Sequence, residues 1–498
     1  MDLDSLKSSE ESLDPQDWQA LRRLGHRMLD DMFDYLQDVR QRPAWQPIPA
    51  GVKRELKKPL PQEPHPVEEI YADFVNQILP YPLGNIHPRF WGWVIGTGSA
   101  TGMLAEMLAA GMNPNAFGGE QIAALVESQV IDWCKEMLSY PAGASGVLVS
   151  GASVANLVCL AVARNSESGY DIRKQGLQGA EKRFTLYAST ETHSCIKRAV
   201  ELLGLGDEAL RMVSVNADYQ INLVELQECI AADRSVGLQP ICVIGNAGTV
   251  NTGAFDDLEA LAGICQREGL WFHVDGAFGS LAAISPSLSV LVKGMERADS
   301  LALDLHKWMY MPYEIACVLV RDPLAHRNTF AENPHYLARA ERGLASGSMW
   351  YSELSPQLSR GFRALKAWFL FQEHGIQKYA RLIEQNVAQA SYLASLVDDS
   401  PFLERLAPAP LNIVCFRYNP GTVDEALLTR LNQELLIRLY ESGIAAPSST
   451  TLAGRYAIRV ANTNHRSRKE DFDLLVETVV GIGRQLESEY KEQRLPNI

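Results

Sequence analysis

A single lysine stands inside the apolar stretch LALDLHKWMY, which covers residues 301–310. Lys307 has His306 before it and Trp308 after it. At the end of a strand, a lysine can cover apolar surface with its stem while its charged end stays in solvent. A lysine that is kept poor in water can instead use its neutral amine as a nucleophile. The stretch alone leaves both interpretations open.

Five predicted strands end in small or polar residues, and Lys307 follows one of them. In open α/β sheets, ligands bind beyond the carboxyl ends of the strands. Five such ends therefore point to one site. The five stretches are SGAS (150–153), STETH (189–193), GNAGT (245–249), HVDGAF (273–278) and DLHK (304–307).

The stretch SGASVAN (150–156) lies between a predicted strand and a predicted helix. Backbone N–H groups and Ser153 at a helix N-terminus are suited to hold a phosphate. An ordinary turn with a capping serine has the same composition. Neither the Walker pattern GxxxxGK[ST] nor the dinucleotide pattern GxGxxG occurs, so a P-loop or dinucleotide site lacks its motif.

Asp275 ends an apolar strand, where an unpaired carboxylate is costly to bury. It therefore needs a cationic or donating partner, which a protonated ring nitrogen or a structural arginine would provide. The sequence leaves three roles open for His193: a structural histidine, a base, or a flat ring for stacking. A phosphate-binding turn, a carboxylate, an aromatic platform and a lysine together are typical of a pyridoxal phosphate site.

Short apolar runs alternate with helical patterns from about residue 97 to residue 330. Such runs are typical of strands buried on both faces, with helices such as 256–269 between them. The alternation predicts an α/β fold with a mainly parallel sheet. The predicted strands are GVLVSG (146–151), FTLYAS (184–189), PICVIGNAG (240–248), LWFHVDGA (270–277), SLALDL (300–305) and ACVLVRD (316–322).

Two further regions flank this domain. Residues 15–42 have apolar side chains at helical spacing, whereas the proline-rich residues 43–66 show no periodicity. We divide the chain into an N-terminal helical and extended arm (1–96), a large α/β domain (97–375) and a small α+β domain (376–498). The arm has little core of its own, so we expect it to pack on the main domain or on a second subunit. The predicted C-terminal elements are helix 362–375, strand 411–418, helix 424–443, strand 456–463 and helix 470–490.

The composition restricts the class of protein. The chain has 498 residues, a formal net charge of −14 and 46% hydrophobic residues, which suits a cytoplasmic enzyme and not a nucleic-acid-binding protein. The N-terminus has no signal-peptide pattern, and no run of about 18 apolar residues indicates a membrane span. Eight scattered cysteines without a CxxC pair indicate reduced thiols, not a disulfide framework or a metal site.

The motifs also occur in an order that resembles the group II pyridoxal-phosphate-dependent amino-acid decarboxylases, the family of aromatic L-amino-acid decarboxylase. The resemblance extends from about Trp18 to the final helix. It implies a fold-type-I architecture like that of aspartate aminotransferase, pyridoxal 5'-phosphate as the cofactor, and a homodimer. The shared motifs are IHPRFWGW (86–93), VSGASVANL (149–157), THS (192–194), GTVNTGAFDDL (248–258), HVDGAFG (273–279), LHKW (305–308), NPHYL (333–337) and LSRGFRALKAWF (358–369).

The resemblance implies a role for each residue of the site. Lys307 would bond covalently to the cofactor, Asp275 would pair with its protonated ring nitrogen, and His193 would stack on the ring and act in catalysis. Tyr336 matches a loop tyrosine that protonates the substrate carbon after carbon dioxide has left. Contacts with the cofactor are implied for Ala152, Ser153 and His306 at the phosphate, and for Thr249 and Ala277 along the rest of the molecule.

Two positions depart from the family pattern. Asp304 stands where aromatic decarboxylases often have an asparagine, and a carboxylate there repels a phosphate dianion unless it is protonated or turned away. Around Asn115, smaller or polar residues replace the family's bulky aromatic ones, which leaves the side-chain specificity open. Asn115, Trp91 and Trp93 are the predicted substrate contacts, and the two tryptophans offer aromatic walls.

We therefore predict decarboxylation of an L-amino acid to its amine and carbon dioxide, with tryptophan or tyrosine as the leading substrates and a non-aromatic amino acid as the alternative. An aminotransferase would use Arg459 as a clamp for the substrate carboxylate. An oxidative aldehyde synthase typically has phenylalanine in place of the loop tyrosine. A non-catalytic protein on the same fold is a further alternative, which the intact lysine, carboxylate and histidine argue against.

Overall fold

The computed structural model describes residues 12–332, 339–421 and 424–494. Within these residues, one compact unit contains 12–43 and 47–83, and a second contains 44–46 and everything from 84 onward. The α-helices are α1 Trp18–Gln37, α2 Ala50–Glu55, α3 Val67–Asp73, α4 Ala100–Met112, α5 Ile122–Met137, α6 Ala152–Glu167, α7 Ile172–Gln175, α8 Ser194–Leu202, α9 Leu223–Ser235, α10 Leu258–Glu268, α11 Leu305–Trp308, α12 Pro323–Phe330, α13 Ala364–Asp399, α14 Glu425–Glu441 and α15 Lys469–Arg494.

The strands all lie in the second unit and form two sheets. They are β1 Phe90–Trp91, β2 Ser145–Val149, β3 Phe184–Ser189, β4 Leu210–Val213, β5 Gln239–Asn246, β6 Trp271–Asp275, β7 Ser300–Asp304, β8 Ala316–Val320, β9 Leu403–Arg405, β10 Ile413–Tyr418, β11 Ala446–Leu452 and β12 Arg455–Ala461.

The larger sheet has seven strands in the order β2-β8-β7-β6-β5-β3-β4. Strand β8 runs antiparallel to β2 and β7, and the other neighbours pair in parallel. Every residue of β3, β6, β7 and β8 is buried, because helices cover both faces of the sheet. The predicted α/β fold with a mainly parallel sheet is therefore confirmed.

The smaller sheet has five strands in the order β1-β11-β12-β10-β9. All its pairs are antiparallel except β1 with β11. Helix α14 packs against both β10 and β12, and a separate apolar core forms beside this sheet. These elements match the predicted strands 411–418 and 456–463 and helix 424–443. The domain boundaries at residues 96 and 375 stay a prediction.

Helix α13 is longer than the predicted helix 362–375. It continues past Gly375, whose positive φ of 63° breaks the regular helix, and it ends at Asp399. Beyond the break, the side chain of Asn386 accepts hydrogen bonds from Trp308 Nε1 at 3.0 Å and from the Tyr310 hydroxyl at 2.8 Å. Helix α13 is thereby fixed to the segment that carries Lys307.

The proline-rich segment and the cysteines also bear on the predictions from the sequence. The proline-rich segment 43–66 contains one short helix, α2, where no regular element was predicted. All eight cysteines are free thiols, as expected for reduced usage. Across the described parts of the chain, no helix combines the length and the apolar character that a membrane span requires.

Candidate active site

The carboxyl ends of the large sheet open into a cavity of about 390 Å³. The strand register brings these ends together, since Asn246 lies opposite Asp275 and Asp275 lies opposite Ala302. The cavity therefore collects side chains from strand ends that are far apart in sequence. Its lining consists of Trp93, Val94, Ile95, Gly151, Ala152, Ser153, His193, Cys195, Asn246, Gly248, Val250, Asp275, Ala277, Phe278, Asp304, His306, Lys307 and Tyr313.

Lys307 lies on the short helix α11, which begins directly after β7. Its Nζ atom is 2.8 Å from Oδ2 of Asp304, the last residue of β7. Burial lowers the pKa of Lys307, but the adjacent charge and hydrogen bond of Asp304, together with Asp275, raise that pKa above its ordinary value. The amine is therefore an ammonium group near neutral pH. The snorkelling interpretation is wrong for this lysine, because its side chain is only 22% exposed and faces the cavity.

Gly96 packs closely against the backbone of helix α11. A Cβ atom at this position would lie 1.9 Å from the carbonyl oxygen of His306 and 2.5 Å from that of Lys307. Only glycine permits such a close approach between two backbone segments. Nothing in the stretch WVIGTG, which contains two glycines, indicates what packs against Gly96.

Asp275 is buried at the end of β6, and its Oδ1 accepts a hydrogen bond from the backbone N–H of Ala277 at 3.1 Å. Burial raises the pKa of Asp275, although the charge of Lys307 acts in the opposite direction. Asp275 is therefore a carboxylate whose charge depends on a nearby cation. The sequence predicted a carboxylate at this strand end that needs a cationic or donating partner, and the N–H of Ala277 and the charge of Lys307 are such partners.

Two histidines complete the polar lining, and each is oriented by the backbone. Nδ1 of His193 accepts a hydrogen bond from the N–H of Cys195, and Nδ1 of His306 accepts one from the N–H of Ile315, both at 3.1 Å. In the neutral form, each ring therefore carries its proton on Nε2. Burial lowers the pKa of both rings. The negative charge of Asp275 partly opposes this shift for His193, and that of Asp304 does so for His306.

The N-terminus of helix α6 forms another wall of the cavity. Ala152 and Ser153 are its first two residues, and two residues separate them from the end of β2. The first N–H groups of a helix have no acceptor within the helix, and the helix dipole favours an anion there. This end of the 16-residue helix is suited to a phosphate.

Three predicted contacts lie away from the cavity. The hydroxyl of Thr249 is bonded within its own loop, to Thr252 and to the N–H of Ala254, each at 3.1 Å. The indole of Trp91 is buried in the second core, where it donates to Ser467 at 3.0 Å. The amide oxygen of Asn115 accepts from the N–H of Arg360 at 2.9 Å. Of the predicted aromatic walls, only Trp93 lines the cavity.

Tyr336 lies outside the described residues, so its predicted role stays a prediction. The structure instead adds lining residues that the sequence analysis did not assign. Tyr313 packs on His306 with ring centroids 4.4 Å apart, and Phe278 follows the β6 strand end. Both are flat apolar surfaces that a ring can contact. No sequence signal near Tyr313 indicated this placement.

Arg459, the proposed clamp of an aminotransferase, does not face the cavity. Its guanidinium is 3% exposed and donates to the carbonyl oxygens of Asn251 and Val250 and to the hydroxyl of Ser448. These bonds fix the loop that follows β5 to the smaller sheet. A guanidinium used in this way is not available to a substrate carboxylate, so the structure argues against the aminotransferase alternative.

Comparisons with known proteins agree with this geometry. Residues 49–419 match the pyridoxal-dependent decarboxylase conserved domain. The chain is 31% identical to an aromatic-L-amino-acid decarboxylase of Bacillus atrophaeus, over 95% of this chain and 97% of the relative. It is 29% identical to a phenylacetaldehyde synthase of Petunia hybrida, over 90% of each chain. The crystal structure of Oryza sativa TDC with PLP and tryptamine superposes with a TM-score of 0.88 at 26% identity, over 95% of this chain and 100% of that chain.

The matched domain covers most of the chain, and Lys307, Asp275, His193 and the N-terminus of α6 meet in one cavity. The cofactor is pyridoxal phosphate, with which the rice structure was crystallised. The chain therefore belongs to the pyridoxal-dependent decarboxylase family and is a pyridoxal-phosphate-dependent amino-acid decarboxylase.

Proposed function

We propose that the substrate is an aromatic L-amino acid of the tryptophan or tyrosine type, and that the products are the corresponding arylalkylamine and carbon dioxide. The observation that carries this proposal is the cavity itself, where Lys307 and Asp275 lie together beside Trp93 and Phe278. Aromatic rings pack well on such flat apolar walls. The names of the Bacillus and rice relatives point to the same class of substrate.

The residues present fit pyridoxal phosphate. A lysine can bond to its aldehyde, a buried carboxylate can pair with its ring nitrogen, and the N-terminus of α6 can hold its phosphate. When it is bound, the cofactor supplies a ring that takes up the electrons of the broken bond between the substrate's Cα and its carboxylate.

The protein's own groups bind, orient and move protons. Lys307 would hold the cofactor through Nζ, since a lysine amine can bond to an aldehyde. Asp275 accepts a hydrogen bond from the protonated ring nitrogen and stabilises that proton electrostatically, in a site with little water. His193, with its proton on Nε2, offers a flat face for stacking and an N–H donor for the substrate carboxylate.

Two further groups act on the substrate in this proposal. Tyr336 donates a proton to the substrate's Cα after carbon dioxide has left, as a general acid. Trp93 provides a wall for the substrate's aromatic side chain. Trp91 and Asn115 have no part in the proposal, because their side chains are bonded elsewhere.

Oxidative conversion to an aldehyde is the second candidate function, and the likeness to the phenylacetaldehyde synthase supports it. That reaction consumes dioxygen and water and yields an aldehyde, carbon dioxide, ammonia and hydrogen peroxide. The tyrosine at position 336 favours simple decarboxylation over oxidation, because a proton donor for Cα ends the reaction at the amine. Simple decarboxylation is therefore the favoured reaction, and oxidation to the aldehyde is the alternative.

A homodimer is part of the same proposal. Helix α4 exposes Met107, Leu108 and Met112, and the start of α5 exposes Ile122 and Leu125. Large apolar side chains exposed together are typical of an interface. We expect Leu108→Glu to shift the chain from dimer to monomer in analytical ultracentrifugation, while Val236→Glu, at another exposed apolar position, leaves it a dimer. A monomeric wild-type chain would contradict the proposal.

We also propose that the protein acts in the cytoplasm, where thiols stay reduced. Eight free cysteines, most of them buried, suit that compartment.

Product analysis tests the proposed function. The purified chain, supplied with pyridoxal phosphate, is incubated with L-tryptophan, L-tyrosine, L-phenylalanine, L-glutamate and L-leucine. We expect equal amounts of amine and carbon dioxide from an aromatic substrate, with the aliphatic and acidic amino acids turned over far more slowly. Aldehyde with ammonia and peroxide would establish the oxidative alternative. Turnover of L-glutamate or L-leucine alone would overturn the aromatic assignment.

A further inference from the structure

Asp304 carries a carboxylate that the proposed function does not use. Its side chain is 2% exposed, and its Oδ2 contacts Nζ of Lys307 at 2.8 Å. Its Oδ1 is buried and has no hydrogen-bond partner within the described residues. A buried carboxylate with one oxygen unbonded is costly unless a cation lies beside it. The contact with Lys307 therefore offsets the cost of burying the Asp304 carboxylate.

The other ionisable groups around Asp304 cannot replace that cation near neutral pH. Burial lowers the pKa of His193 and His306, so both rings are neutral there. Burial raises the pKa of Cys195 and of Tyr313 to about 12, so neither is charged. Asp275 carries the same sign of charge as Asp304, which leaves Lys307 as the counter-charge among these groups. They lie on the ends of β6 and β7, at the start of α8, on α11 and in the segment after α11.

The two carboxylates at the cavity differ in their bonds. Oδ1 of Asp275 accepts from a backbone N–H, whereas Asp304 bonds directly to the lysine. A division of roles follows, in which Asp304 is the partner of the lysine and Asp275 stays available for the cofactor's ring nitrogen. Asp304 is thus turned to the lysine, so the chain accommodates a carboxylate at this position without directing it at the phosphate of a cofactor.

We propose that Asp304 is a positioning residue that holds Lys307 as a hydrogen-bonded ammonium group whenever the lysine is not bonded to the cofactor. Asp304 thereby limits how fast an aldehyde attaches to the chain. This inference rests on the proposed function, because it requires Lys307 to be the point of attachment.

The attachment chemistry explains why the ion pair limits the rate. The ammonium group must first lose one proton, since its lone pair forms the new C–N bond with the aldehyde carbon. The carbonyl oxygen then leaves as water with the two hydrogens that remain on the amine, and a C=N double bond is left. Each increase in the pKa of Lys307 lowers the fraction of reactive amine.

The rate of cofactor attachment to the cofactor-free chain tests the proposal. Attachment is followed by absorbance at several pH values, and borohydride reduction with peptide mass spectrometry identifies the modified lysine. Near neutral pH, we expect Asp304→Asn to react about tenfold faster than the wild type or more, because loss of an adjacent opposite charge lowers the pKa of the lysine. The rate of the variant should also stop rising at a lower pH. Asp304→Glu, which keeps a carboxylate, should return the rate and the pH profile towards those of the wild type.

Pyridoxal, which lacks the phosphate, separates two explanations. If Asp304 acts through the lysine, Asp304→Asn gains the same factor with pyridoxal as with pyridoxal phosphate. A gain with pyridoxal phosphate alone would mean that the carboxylate repels the phosphate, and the proposal would be wrong. An unchanged pH profile or slower attachment in Asp304→Asn would also overturn it.

Asp299 supplies a matched control, because it directly precedes the other end of the same strand, β7, and its carboxylate accepts from the N–H of Phe272. We expect Asp299→Asn to keep the wild-type rate of attachment. The same experiment keeps the two proposals separate. If borohydride does not link the cofactor to Lys307 in the wild type, the proposed function fails. If borohydride does link the cofactor to Lys307, but the pH profile of attachment in Asp304→Asn matches that of the wild type, the role of Asp304 is refuted and the proposed function is not.

Discussion

Single residues at the ends of β6 and β7 set the charge of the active site. Lys307 is an ammonium group beside Asp304, and Asp275 is a buried carboxylate whose pKa is raised by burial. A buried carboxylate that stabilises charge in a reaction is worth more than the same group in water. The charge of Asp275 should therefore matter more to turnover than to attachment of the cofactor.

Asp275→Asn tests this distinction. We expect borohydride to link the cofactor to Lys307 in the variant as in the wild type, while kcat falls by roughly a hundredfold or more, because an amide cannot stabilise the protonated ring nitrogen. Steady-state kinetics of carbon dioxide release gives the measurement. Asp275→Glu should retain more activity than Asp275→Asn. Equal turnover by Asp275→Asn and the wild type would remove Asp275 from the mechanism.

At the residue scale, the sequence predicted which side chains reach the sheet edge better than it predicted their direction. Lys307, Asp275 and His193 line the cavity because a strand end fixes where they lie. Thr249 does not line the cavity and its hydroxyl turns to partners within its own loop, so its contact with the cofactor stays a prediction. Trp91 was misplaced because its partner Ser467 is distant in sequence, and periodicity carries no information about such contacts.

At the scale of elements, backbone packing holds the reactive helix in place. Gly96 lies against the carbonyl oxygens of His306 and Lys307, and Asn386 of α13 binds Trp308 and Tyr310 on the other side of the segment. Helix α11 has only four residues, so its position depends on these contacts and not on its own hydrogen bonds.

Gly96→Ala should disturb the position of α11. The added Cβ would lie 1.9 Å from the carbonyl oxygen of His306, so one backbone must move. We expect roughly tenfold or greater weakening of cofactor binding, measured by titration of the cofactor-free chain, because small displacements at a preorganised site are costly. Gly481→Ala is the control: nothing lies within 4 Å of its Cβ, and alanine favours the helix. Wild-type affinity in Gly96→Ala would refute the importance of this contact.

The sequence predicted the strands that are apolar on both faces well and the polar or mixed strands poorly. Strands β3 and β6 to β8 are apolar on both faces, which gives a strong signal. Strand β11, with the sequence APSSTTL, is polar and small, and β4 contains an arginine, so neither was predicted. Helix α13 was predicted to end near Gly375, but packing of its second half carries it to Asp399.

At the scale of the whole molecule, buried histidines make folding depend on pH. His273 and His326 are both 0% exposed, and burial lowers the pKa of each to about 4 from an ordinary value of 6.5. Between these values, the unfolded chain binds protons that the folded chain does not. The free energy of unfolding is therefore highest above the ordinary pKa and falls as the pH drops towards the folded pKa.

Two histidines that bind protons only in the unfolded chain give the free energy of unfolding a slope of up to about 3 kcal/mol per pH unit. We expect urea unfolding to give a free energy of unfolding that decreases from pH 7 to pH 5. His326→Gln should reduce that slope by about one proton, or roughly 1.4 kcal/mol per pH unit, whatever its effect at pH 7. An identical slope in the variant and the wild type would mean that His326 is not the titrating group.

The predicted dimer and the domain boundaries belong to this scale as well, and they stay predictions. Apolar residues exposed on α4 indicate an interface, but the sequence pattern that produces them is that of any amphipathic helix. The position of a second subunit depends on the fit between surfaces far apart in sequence, which no local pattern encodes.

The most direct test of the central claim compares the wild type with Lys307→Ala. Both chains are supplied with pyridoxal phosphate and L-tryptophan or L-tyrosine, and the amine and carbon dioxide released are measured together. We expect stoichiometric amine and carbon dioxide from the wild type and a loss of at least about a thousandfold in Lys307→Ala, because the nucleophilic amine is absent. Wild-type turnover by Lys307→Ala, or no amine from either aromatic substrate with the wild type, would contradict the assignment.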